Sequence, residues 1–173
     1  DILFVSQTIS LHDEIKPDID PGFTYLGREE GKVIKNLLEN FDQIAAEFQV
    51  TGIRFRLHPS ETKFRHHELT NRFPSVPISL EKPSTKSLAE SVKDAKVVMG
   101  INSMAIYEAH VLGKPAFAIR PLPSTCITIP IPEEQKLDRA VDAKKTNVLK
   151  EHPEYFEHHP FEDLLPIMIP SIT

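Results

Sequence analysis

Short β-branched, apolar runs alternate with longer amphipathic stretches along this chain, and that alternation constrains its fold more than any other feature. Ile2-Leu3-Phe4-Val5 is a continuous apolar run, as a strand covered on both faces must be. Between residues 28 and 48, Val33, Leu37, Leu38, Phe41, Ile44, Ala45 and Phe48 recur at spacings of three and four, which predicts one helix. Gly52 ends that unit, and residues 53–57 read as the next strand. A short polar helix over 62–73 leads to a third strand over 76–80, bounded by Pro74 and Pro83. A helix over 84–95 follows, with Ser84 or Thr85 as its cap and Leu88, Val92 and Ala95 facing inward. The fourth strand covers 97–99, the next helix 103–112 and the fifth strand 115–119. Residues 10–27 read as a loop, and Pro-rich loops after 119 carry a helix near 132–140 and a last amphipathic stretch over 161–169. The pattern predicts a single α/β domain over 1–173: a doubly wound, mainly parallel, Rossmann-like sheet in the order 3-2-1-4-5, with a sixth strand if the Pro-rich tail returns to it.

Charge and composition narrow the function classes. A net charge of −5 argues against a nucleic-acid-binding surface as the main one, and leaves room for a local basic cleft. No apolar run approaches the roughly 18 residues that a membrane span needs. The one cysteine, Cys126, excludes an internal disulfide and suits a reducing, cytoplasmic setting; without activating neighbours it reads as an inert, semi-buried thiol. Asp1 leads straight into a strand with no signal-peptide pattern, so the chain is expected to be part of a larger two-domain protein. His66-His67, His110, His152 and His158-His159 lack metal-site spacing, so no metal is expected. The absence of a P-loop, of Gly-x-Gly-x-x-Gly and of Gly-x-Ser-x-Gly weighs against kinase, dinucleotide oxidoreductase and α/β-hydrolase activities.

Two segments carry chemistry. Arg56-Leu57-His58-Pro59-Ser60-Glu61 closes the second strand, and Gly100-Ile101-Asn102-Ser103 joins the fourth strand to a helix. In an open parallel sheet, ligands bind where strand ends feed helix starts. Ser103 stands where helix N–H groups and the positive dipole end face a phosphate, and it is equally suited to a plain cap. Gly100 either lets the backbone approach a ligand or makes the turn. Pro59 keeps His58 extended; the imidazole suits an anion or a carbonyl. Glu61 can cap the following helix or pair with a base or basic side chain, and Arg56 reads as a surface ion pair beside the site.

The order strand, long helix, strand-His-Pro-x-Glu, strand, helix, strand-Gly-x-x-Ser-x-x-x-Tyr-Glu-Ala, Gly-Lys-Pro, strand resembles the C-terminal nucleotide-sugar-binding half of GT-B glycosyltransferases. Within that group the chain is most similar to bacterial polysialyltransferases and capsule-polysaccharide or glycerophosphate-polymer transferases, over roughly residues 1–130. Non-hydrolysing UDP-N-acetylglucosamine 2-epimerases share the half-fold and a related Gly-x-Ser-Gly-x-x-x-Glu-Glu pattern. The resemblance implies that His58 faces the leaving phosphate as the catalytic group, that Asn102 and Ser103 hold the donor phosphate, and that Glu108 accepts the ribose hydroxyls. By analogy, Ser6 and Gln7 sit near the donor phosphates or sugar. It further implies a CMP- or UDP-linked donor as substrate, no cofactor, an N-terminal acceptor domain absent from this sequence, and peripheral membrane association through the parent protein. The family pairs two hydroxyls where this chain has Asn102-Ser103. The alternatives are a non-catalytic Rossmann-like nucleotide-binding or regulatory module, or half of a 2-epimerase-like enzyme.

Overall fold

A computed structural model describes residues 1–7, 28–59 and 66–147. Among them, six parallel strands lie in one sheet in the order β3-β2-β1-β4-β5-β6. They are β1 (Ile2–Val5), β2 (Ile53–Arg56), β3 (Ile78–Glu81), β4 (Val97–Gly100), β5 (Ala116–Ile119) and β6 (Lys136–Leu137). The helices are α1 (Arg28–Glu39), α2 (Phe41–Phe48), α3 (His66–Arg72), α4 (Leu88–Asp94) and α5 (Met104–Val111). This is the Rossmann-like α/β architecture that the alternation predicts, and the sixth strand is indeed supplied by the Pro-rich tail. Every residue of β1, β4 and β5 is buried, so helical layers cover both faces of the central sheet. No helix among the described residues is long and apolar enough to cross a membrane.

Register places Ile2 beside Ile53 and Val97, which aligns the carboxyl ends of the three middle strands. The core is aromatic on both flanks of β1: Phe4 meets Phe55 with ring centroids 5.5 Å apart, and Phe48 meets Phe117 at 5.8 Å, both tilted. Strand order reverses between β1 and β4, so the connections leaving these strands diverge and open a crevice at their carboxyl ends.

Several boundaries differ from the sequence expectation. The single helix over 28–48 is two helices, because Asn40 leaves helical geometry (φ −111°, ψ 17°) and turns its amide onto the Asn36 carbonyl at 2.8 Å. The cap of α4 is Ser87, not Ser84 or Thr85; Ser87 and Glu90 form a reciprocal capping box. Thr85 instead closes a turn onto the Lys82 carbonyl through its backbone N–H and its hydroxyl. The third strand begins at Ile78, since Val76 turns back onto Phe73. The helix expected near 132–140 is a 3-10 turn (Glu133–Gln135), then β6, then a second 3-10 turn (Ala140–Asp142). Pairing of Lys136 and Leu137 with Ala118 and Ile119 overrides the local helical preference. Cys126 is exposed, not semi-buried. The loop over 10–27, the residues 62–65 and the stretch over 161–169 lie outside the described residues.

Candidate functional site

A cleft of about 270 Å³ opens at the crevice, where β1 and β2 end and α5 begins. Val5 and Ser6 contribute from β1, and Arg56, Leu57, His58 and Pro59 from β2. Ser103, Met104 and Ala105 form the wall at the start of α5, while Pro83 and Leu88 close the side toward α4. The wall is mostly apolar, with a few polar groups converging on it.

Ser103 is the N-cap of α5: its hydroxyl accepts from the Ala105 N–H at 3.3 Å and its carbonyl from the Ile106 N–H at 3.0 Å. Capping and lining the cleft are thus compatible roles for one residue. Ser6 follows β1 and is 4% exposed, its backbone N–H donating to the Arg56 carbonyl at 3.0 Å. Its hydroxyl oxygen is buried and finds no partner among the described residues. Leaving a buried hydroxyl unpaired costs on the order of 1–3 kcal/mol. His58 is half-buried at the cleft, one residue beyond Leu57, whose N–H still donates to the Glu81 carbonyl of β3 at 3.0 Å.

Arg56 is ion-paired, as the sequence suggests, but the pair is buried, not superficial. Its guanidinium donates through Nη1 to Glu81 and to the Ser91 hydroxyl (2.8 Å), and through Nη2 to the Lys86 carbonyl (2.9 Å). Arg54 reaches the other oxygen of Glu81 at 2.7 Å. Burial pushes the Glu81 carboxyl up, but the Ser91 hydroxyl and the two guanidiniums outweigh it and hold the carboxyl below its usual range.

Asn102, Gly100, Glu108 and Gln7, also expected at the site, lie off the cleft lining. The Asn102 amide is engaged in tethering the chain after β5: Oδ1 accepts from the N–H groups of Thr128 (3.0 Å) and Ile129 (3.2 Å), and Nδ2 donates to the Thr128 hydroxyl (2.9 Å). Gly100 faces protein, not ligand space: a Cβ there would stand 2.8 Å from Val5 Cγ2 and 3.2 Å from Ile106 Cδ1. Glu108 is half-buried further along α5, where burial raises its carboxyl above the ordinary range. Gln7 donates its backbone N–H to the Glu30 carboxylate at 2.9 Å. Glu61 lies outside the described residues.

The sequence reading missed Glu81 and Ser91. A usable signal was present: Arg54 and Arg56 share one face of a strand with period two, and two arginines on an interior strand require an acidic partner. Among the described residues no cluster of three or more His, Cys, Asp or Glu side chains has the arrangement to hold a metal ion. Comparison of the chain with known protein families, with curated proteins and with solved structures finds no match.

Proposed function

We propose that this domain binds a nucleotide-activated sugar, as the donor half of a GT-B glycosyltransferase that acts in the cytoplasm on a bacterial surface or capsular polysaccharide. One observation carries the reading. His58, Ser103 and Ser6, drawn from three separate segments, converge on one cleft at the carboxyl ends of the strands. The first turn of α5 favours negative charge, and Ser103 and Ser6 supply short polar contacts to a phosphate. A protonated His58 offsets charge on the leaving phosphate or passes it a proton. The acceptor, and the base that activates it, come from a second domain.

Calorimetric titration with CMP, CDP, UMP and UDP tests the proposal. Without a closing partner the expected affinity is weak, with Kd on the order of 0.1–1 mM for at least one of the four. Absence of binding by all four up to roughly 10 mM removes the reading. A second reading, a module that binds a nucleotide without turnover, is favoured by the commitment of the Asn102 amide to Thr128 and Ile129. Incubation with CMP- and UDP-sugars separates the two once the acceptor domain is supplied: nucleotide release accompanies transfer in the first and is absent in the second.

A further inference from the structure

The two arginines of β2 and the carboxylates around them form a line of alternating charge that ends at the cleft. Asp1 pairs with Arg54, Oδ2 to Nε, at 3.2 Å. Arg54 donates to one oxygen of Glu81 at 2.7 Å, and Arg56 donates to the other. The order is acid, base, acid, base, and its last member, Arg56, contributes to the cleft lining. Arg54 has a carboxylate on each side; Arg56 has one among the described residues. Its remaining contacts, the Ser91 hydroxyl and the Lys86 carbonyl, are neutral acceptors that fix the guanidinium without cancelling its charge. Arg56 and Glu81 are 8% and 6% exposed, so salt and water screen this charge weakly.

We propose that an anion in the cleft is the fifth member of this line, and that Arg56 is the residue that selects the ligand for its negative charge. The group selected is a phosphate or pyrophosphate, free or as part of a nucleotide. The inference rests on reading the cleft as a phosphate site, and it is independent of which base or sugar the phosphate carries.

Calorimetry with pyrophosphate, UMP and uridine on the wild-type protein, Arg56→Gln and Arg56→Lys tests it. The wild type should prefer UMP over uridine by roughly tenfold or more, as a contact to a charged group allows. Arg56→Gln should bring the two within about twofold and weaken pyrophosphate binding by about tenfold. Arg56→Lys keeps the charge but loses the planar fork, and should retain only part of the preference. A folded Arg56→Gln protein that binds pyrophosphate as the wild type does overturns the assignment. If Arg56→Gln does not fold, an unchanged UMP preference in Arg56→Lys overturns it instead. Pyrophosphate binding that Arg56→Gln weakens, with no binding of UMP, leaves Arg56 assigned and removes the nucleotide-sugar reading. Uridine binding as tight as UMP does the reverse, and absence of all binding removes both.

Discussion

Gly100 and Asn102 lie two residues apart where β4 leads toward α5, and each meets a segment far away in sequence, Val5 for Gly100 and Thr128 and Ile129 for Asn102. Gly100 is the last residue of β4, in register with Val5 of β1, and lies under Ile106 of α5. A methyl group there would meet Val5 Cγ2 at 2.8 Å, the Val5 carbonyl oxygen at 3.0 Å and Ile106 Cδ1 at 3.2 Å. The carbonyl belongs to the sheet and cannot yield cheaply. Gly100→Ala should therefore destabilise the protein by about 1–3 kcal/mol, read from urea denaturation at constant slope. The sequence marks this position as special through its lack of a side chain, but cannot tell a ligand contact from a packing contact. Asn102 is opaque for the same reason: its partner segment lies 26 and 27 residues on. His58 and Ser103, by contrast, are legible because a strand end and a helix start are local features.

At the scale of elements, the strands were easier to read than the caps and breaks between helices. β1, β4 and β5 are apolar throughout, and no competing pattern obscures them. The start of α4 is ambiguous in the sequence because three hydroxyl residues, Ser84, Thr85 and Ser87, precede it. Ser87 prevails because Glu90 stands three residues on: the Glu90 carboxylate accepts from the Ser87 N–H at 2.9 Å, and the Ser87 hydroxyl accepts from the Glu90 N–H. Ser87→Ala should cost about 1 kcal/mol in thermal or denaturant unfolding, and Ser84→Ala well under 0.5 kcal/mol. Equal losses in the two variants would refute the capping assignment. β6 was hidden for a different reason. Two residues carry no periodicity, and Lys136-Leu137 is a strand only because Ala118 and Ile119 lie beside it.

Over the whole molecule, sheet order follows from the alternation of elements and the handedness of their crossovers, so it is legible in the sequence. The cleft follows from that order, since the reversal between β1 and β4 opens it. The charge line beneath it is only half legible: two arginines on one strand face call for an acid, but which acid depends on β2 and β3 placing Arg56 opposite Glu81 in register. The Asn102 tether acts across similar distances, joining the turn that starts α5 to the chain that leaves β5. It has a kinetic consequence. Thr128 and Ile129 lie outside any helix or strand, where backbone amides ordinarily trade hydrogen for deuterium within moments. Both are bonded to one side-chain oxygen anchored at the sheet, so their exchange should be slow and should track the opening of α5. In Asn102→Ala the two amides should exchange faster by roughly ten- to a hundredfold, while those of β4 keep their native rates.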